Sequence, residues 1–453
     1  MPGKDKQRDI IFFTVLVIVQ TCFYFLAVHS KQIYLGDSID YIREAINIKS
    51  HFFFYSGDAA SPIKEEYITL RPPLYPIFIC AIYLFTINNW VVLFFQNVLC
   101  FLNILMVRDT LLHFGYKKRY DPLFLLFIIF YPAQFIFSDI VYSDILFQTF
   151  SVIYFRHFVL LVNDKRQSHV LWMSLAVIAG AMVKPVFYPF SVFNFILLLL
   201  CTRYLKIKLS RTLGFAVLPF FVFLLYNCWN YARTGKFHYS SIEAINAIYN
   251  CREYETHKTG LIAGGLKYDS LQANIASIPV FKDRYDTSIK IAGNFIKARI
   301  ASYALFHVMH SARMLIDPGK NEIDLFMGWD YLVRRKSAEE INRGFYATLR
   351  NKGWKGIWTY VFTNEDPATP VLLLILLFNC IRLIGFCLFV FDKKIHIAIR
   401  LFVLSFVGYF AIVTGPVANT HYFLPVSLIM IGAAVIGLQN LFKRRTQSHI
   451  GTG

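Results

Sequence analysis

The stretch from Asp121 to Val162, DPLFLLFIIFYPAQFIFSDIVYSDILFQTFSVIYFRHFVLLV, decides the fold class. Two apolar runs, 121–138 and 140–162, meet at a turn carrying Ser138 and Asp139. Each run approaches the length that crosses a hydrocarbon core about 30 Å thick. Similar runs recur at 10–29, 72–87, 90–107, 169–184, 186–202, 212–231, 369–391, 396–415 and 420–441. Of the 453 residues, 56% are hydrophobic and 16% charged, against about 25% charged in a soluble chain. Only a bilayer keeps so many such runs in solution. The expected fold is all-α: a polytopic transmembrane helical bundle of about ten to eleven spans, with external juxtamembrane helices and one long external loop region. A disordered chain, a secreted disulfide scaffold and a nucleic-acid module are excluded.

Lys plus Arg number 46 against 28 Asp plus Glu, a formal charge of +18. Much of the excess lies in short loops between apolar runs, as the positive-inside rule requires. Segment 72–87 opens with Pro72-Pro73, contains Pro76 and is short for a crossing. If it is interfacial or re-entrant, ten spans remain. Every short basic loop then falls on the inner side, from the N-terminus through Arg108–Arg119 to Lys443-Arg444-Arg445. The basic start followed by Ile10 to Val28, with no small-residue cleavage site, reads as an uncleaved first helix. The expected division is 1–231 as a transmembrane module including the external loop 30–71, 232–368 as an external region, and 369–453 as C-terminal transmembrane helices. Within 232–368 the periodicity predicts one amphipathic helix over 288–315, ended by Asp317-Pro318-Gly319. The eight Cys form neither a disulfide framework nor a metal spacing, and no internal repeat is evident.

That topology gathers the unusual polar residues on the outer side, where ionisable groups at membrane depth are costly and commonly functional. Asp37 follows the first span in YLGDSIDY. A carboxylate there is placed to take a proton from an acceptor, and it is equally a good N-cap for a helix over about 38–49, with Asp40 in the first turn. Arg71 precedes Pro-Pro-Leu-Tyr-Pro and is either a phosphate clamp or a snorkelling interfacial residue. Asp139 and Asp144 flank the turn between two spans and lack a sequence-local basic partner. They could position an acceptor, hold a divalent cation, or pair with Arg71 or Lys184. Lys184 precedes Pro185, an interfacial anchor by default and a second phosphate contact by hypothesis. Asp40, Tyr41, Tyr75, Asp144, His421 and Tyr422 are further candidates for substrate contact. P-loop, Rossmann, HExxH and GxSxG patterns are missing from the sequence.

In order along the chain, these fragments resemble the GT-C superfamily of membrane glycosyltransferases, in particular the branch of aminoarabinose transferases and protein O-mannosyltransferases. The resemblance rests on Gly36, Asp37 and Tyr41 after the first span, Arg71 to Pro76, Tyr142-Ser-Asp144, Lys184-Pro185, Asn230 to Gly235 with Tyr239 to Ser241, and Tyr422 to Pro425. It covers roughly 10–250 and 370–440. It implies a sugar donor on a polyprenyl phosphate, an acceptor of unspecified kind, and Asp37 as catalytic base. It further implies Arg71 as a donor-phosphate contact and an acidic helper in the second external turn, with Asp139 favoured over Asp144 as nearer the turn. His421 stands where relatives often carry Arg, and the added soluble domain of some relatives is lacking. The implied location is a bacterial inner membrane, multi-pass, with the site facing the periplasm. No cofactor is firmly implied, although Asp37 with Asp139 could hold a divalent cation. Two other classes compete: a lipid-linked sugar or solute transporter, which favours repeats and midplane charges, and a polysaccharide ligase or polymerase working from 232–368.

Overall fold

In the computed structural model, the described residues are 2–328, 353, 355–356, 369–417 and 419–450. Among them every regular element is helical. Helix α1 (Pro2–Ser30) leads through a short turn into α2 (Ser38–His51) and α3 (Leu74–Tyr83). There follow α4 (Asn89–Leu112), α5 (Asp121–Ile129), α6 (Ala133–Ile136), α7 (Asp144–Asp164), α8 (Ser168–Val183), α9 (Phe187–Leu205) and α10 (Leu209–Thr234). A second group comprises α11 (Ile242–Thr259), α12 (Leu261–Ala276), α13 (Phe281–Lys297), α14 (Ile300–Met314) and α15 (Lys320–Phe326). The chain closes with α16 (Thr369–Phe391), α17 (Ile397–Val413) and α18 (Thr420–Ile450).

Seven of the described helices are long and apolar enough to cross a membrane: within α1, α4, α7, α9, α10, α16 and α18. The apolar helices α3, α8 and α17 are shorter. Helix α3, with 10 residues, rises only about 15 Å, half the hydrocarbon thickness. Helix α18 lies at the centre, with Phe423 to Leu424 and Val426 to Ile436 almost wholly buried. A helix apolar on every face belongs in such a place. It meets α16 backbone to backbone, because a Cβ added to Gly437 would stand 2.1 Å from the Gly385 carbonyl oxygen. Small residues permit that approach.

Two sequence expectations change. The span expected over 121–138 is two short helices, α5 and α6, broken at Tyr131-Pro132. Proline lacks the amide the helix needs and disfavours helical geometry in the residue before it. The single helix expected over 288–315 is two, α13 and α14, interrupted at Ala298-Arg299. The break lets Tyr254 pack against Phe295 on one side and Tyr303 and Phe306 on the other. Of the expected external region 232–368, most of 329–368 lies outside the described residues.

The ends of the bundle differ in chemistry. At one end Arg108 of α4 pairs with Asp9 and Asp121, and Lys118 also meets Asp9. From Asp9, α1 runs to Ser30, about 30 Å away by helix rise. The candidate residues lie at that second end. The connection 137–143 there is irregular yet buried. Irregular backbone in such a place must find internal partners. Gln96 of α4 donates to the Ile140 carbonyl at 2.7 Å, Asn97 donates to that of Ser138 at 3.2 Å, and the Val141 amide donates to Ile33 at 2.9 Å. Tyr75 orients the Gln96 amide by donating to its oxygen. These bonds fix the side chains of Tyr142 and Ser143.

Candidate functional site

Asp37 stands at the N-cap position of α2, but its side chain makes no capping hydrogen bond. The carboxylate accepts from the Tyr142 hydroxyl at 2.7 Å and lies 2.7 Å from Arg71 Nη2. The geometry therefore directs Asp37 across the fold rather than along its own helix. Asp40, Tyr41 and Glu44 follow at helical spacing and share its side of α2. Arg71 precedes Pro72-Pro73, where α3 begins, and is buried. It donates to Asp40 Oδ2 through Nε at 3.3 Å and Nη2 at 2.9 Å, and stacks over the Tyr41 ring at 5.2 Å. Its Nη1 has no hydrogen-bond partner among the described residues.

A second ion pair adjoins the first. Lys184, held extended ahead of Pro185, places Nζ 2.7 Å from Asp144 Oδ1 at the start of α7. A carboxylate in the first helical turn is also favoured by the helix dipole. The Lys184 ammonium lies 5.2 Å from the Tyr142 ring centroid and 5.9 Å from that of Tyr422. His421 packs between Tyr142, at 6.0 Å, and Tyr422, at 3.9 Å. Tyr41 bonds Ser143 across the gap at 3.0 Å. Asp37, Asp40, Tyr41, Arg71, Asp144, Lys184, His421 and Tyr422 thus form one linked cluster.

Two candidates stand apart from it. Tyr75 is fully buried behind Tyr41, its ring edge-on at 4.9 Å and its hydroxyl committed to Gln96. Asp139 accepts from Asn97 at 2.7 Å, and its other oxygen is buried without a partner. The acidic side chain that enters the cluster from this turn is Asp144, although the sequence favours Asp139 by its position. The reason is periodicity: Asp144 opens α7 facing Lys184, whereas Asp139 sits in the preceding irregular segment and turns toward α4. Among the described residues no three His, Cys, Asp or Glu side chains converge.

The electrostatics separate the carboxyls. Burial works to raise the pKa of Asp37, but the Arg71 charge and the Tyr142 hydroxyl outweigh it and leave it lowered. Asp40 goes the other way, raised because burial exceeds the pull of Arg71. Burial pushes Asp139 up to about 8 against the Asn97 hydrogen bond, so it is largely neutral at pH 7. Burial, with the Asp37 charge second, raises the Tyr142 hydroxyl and keeps it a donor. Access differs as well. The Asp37 side chain is 37% exposed, against 18% for Asp40 and 0% for Asp144. Asp37 is the most exposed of the three carboxyls, and Arg71 lies beside it.

The sequence reading passes over three members of this neighbourhood. Tyr142 is visible only as part of a motif, and Ser143 only as its middle residue. Glu44, raised by burial to about 8 and accepting from Ser56, was signalled by its four-residue spacing from Asp40.

No family model matches the chain, and no curated protein matches it. Among solved structures, the chain is similar to the crystal structure of ArnT from Cupriavidus metallidurans bound to undecaprenyl phosphate. The identity is 11% over 97% of this chain and 79% of that one, with a TM-score of 0.36.

Proposed function

We propose that this chain is an integral-membrane glycosyltransferase of the GT-C kind, moving a sugar from a polyprenyl phosphate to an acceptor on the non-cytoplasmic face. The observation that carries the reading is the contact between an accessible, ionised Asp37 and a buried Arg71 with an uncommitted Nη1. Ten spans, with α3 at the outer interface, put the short basic loops inside and this cluster outside, in a bacterial inner membrane. Residues 1–231 form the catalytic module, 232–368 help to select the acceptor, and 369–453 close the bundle.

Chemistry follows from the charges. The donor phosphate meets Arg71 Nη1 and then draws the guanidinium from Asp37. Losing its cation raises the pKa of Asp37 and strengthens it as a base, so the base gains strength when the donor is in place. Asp37 takes the proton of the acceptor hydroxyl or amine. The acceptor atom bonds to the anomeric carbon as the bond to the phosphate oxygen breaks, with inversion. The phosphate leaves on its lipid with the electron pair. Arg71, and Lys184 once Asp144 yields it, offset the charge growing on the leaving oxygen, which favours the transition state over the ground state.

The test is Asp37→Asn in proteoliposomes supplied with a panel of polyprenyl-phosphate sugars and acceptors. Transfer by the wild type, lost in Asp37→Asn with donor binding kept, is the expected result. Full transfer by the variant refutes the base role. Transport of donor across the bilayer without transfer, equal in both proteins, favours a flippase. Dependence on Arg or His within 232–368 with tolerance of Asp37→Asn favours a ligase.

A further inference from the structure

A groove lies far from the Asp37 cluster. It encloses about 800 Å³ between α7, α9 and α17. Its walls are apolar, with Phe158, Phe193, Leu197 and Phe402 among them, and one end carries Arg203 and Tyr204. Phe158 stands fourteen residues along α7 from Asp144, about 21 Å by helix rise. The groove therefore belongs to the opposite end of the bundle from the ion pairs. Its rim is open to the bilayer side, since Leu200 is 62% exposed and Leu401 54%.

The charge at its polar end is one-sided. Arg203 is exposed and has no hydrogen bond or ion pair among the described residues. Lys206, Lys208 and Arg211 follow it, and Lys393, Lys394 and His396 come from the turn before α17. The Tyr204 and His396 rings, 5.9 Å apart, join the two groups. Two acidic residues lie nearby, the buried Asp392, which accepts from Asn440 and from the Lys394 amide, and Asp164, 3.3 Å from His169; the basic residues outnumber them. A groove entered from lipid, apolar along its length and cationic at its mouth, complements a molecule with an acyl chain and a negative headgroup.

We infer that this groove is a binding site for an anionic phospholipid of the bilayer, its acyl chain between α9 and α17 and its phosphate at Arg203. A zwitterionic lipid fills the apolar part and leaves the cations unmatched. A basic residue near a membrane surface contributes about 1 kcal/mol to holding an anionic lipid, a factor of about five.

The full chain, purified and stripped of lipid, is titrated with phosphatidylglycerol, with phosphatidylcholine of the same acyl chains, and with a polyprenyl phosphate, and adducts are counted by native mass spectrometry. One phosphatidylglycerol should be held about five-fold or more tightly than phosphatidylcholine. Arg203→Gln should weaken phosphatidylglycerol about five-fold and leave phosphatidylcholine unchanged. Leu200→Trp, at an exposed position that tolerates bulk, should weaken both by narrowing the groove. Equal retention of the two phospholipids, or indifference to Arg203→Gln, reduces the groove to ordinary belt lipid and overturns the inference. Displacement of phosphatidylglycerol by the polyprenyl phosphate in an Arg203-dependent way gives the groove to the carrier and also overturns it.

Discussion

Replacing Arg71 with Met removes the cation between Asp37 and Asp40 and leaves two carboxyls facing an apolar side chain. The Arg71 side chain is 9% exposed, with Nη2 at 2.7 Å from Asp37 and 2.9 Å from Asp40. Breaking a buried pair by removing one partner costs about 3–5 kcal/mol. The Asp37 side of this pair is more than a third exposed, so solvent screens that half to about 1 kcal/mol or less. Asp40, at 18%, carries the larger share. The expected loss at pH 7 is about 2–4 kcal/mol. The sign of its pH dependence is fixed. In the wild type the lowered pKa of Asp37 gives stability that is full above the usual 3.8 and is lost as pH falls through the folded value. Without Arg71, burial of Asp37 is opposed only by the Tyr142 hydroxyl and the Lys184 charge, so its pKa rises, and Asp40, already raised, rises further. A raised carboxyl penalises the fold by an amount absent below 3.8 and growing as pH climbs to the folded value. The gap between wild type and Arg71→Met is therefore widest near pH 7 and narrows toward pH 4. Thermal unfolding followed by tryptophan fluorescence from pH 4 to 8 measures it without any substrate. A gap constant with pH, or widening in acid, refutes the charge assignment.

Three further outcomes follow from the packing. Lys184→Met should cost about 3–5 kcal/mol by stranding Asp144, and Lys184→Met with Asp144→Leu should recover most of it, as a double-mutant unfolding series will show. Gly437→Ala should destabilise by about 1–3 kcal/mol because its Cβ meets the Gly385 backbone, whereas Gly408→Ala, inside α17 with open space around it, should stabilise by about 0.5–1 kcal/mol in the same melts. Asp139→Asn should be more stable than wild type at pH 7–8. Its folded pKa near 8 means the charged unfolded state is favoured progressively as pH rises from 3.8, so the advantage should vanish near pH 4. Retention of activity in Asp139→Asn, measured once a substrate is found, separates this buried carboxyl from the cluster.

The residues of the cluster could be named from the sequence because each breaks an apolar pattern beside a span: Asp37, Asp40, Arg71, Asp144 and Lys184 are costly in such places and stand out for that reason. Residue type alone leaves Asp37 divided between helix cap and site group, since the two roles call for the same side chain at the same position. Contacts across the fold show that its side chain does not cap the helix, as the Tyr142 hydroxyl that it accepts from comes from 105 residues away. Residue order favours Asp139 over Asp144, whereas the geometry turns Asp139 toward Asn97 and sets Asp144 against Lys184. Distance from a turn in sequence says nothing about which way a side chain faces once the segment is buried and irregular.

The helical membrane class and the apolar segments were determined by hydropathy alone, because the hydropathy of a segment is a local property read residue by residue. Breaks at Tyr131-Pro132 and Ala298-Arg299, the shortness of α3, and the partner of each charge were decided by the tertiary structure. Those depend on what packs opposite, and a guanidinium finds its carboxylate through the closing of the whole chain rather than through its neighbours in sequence.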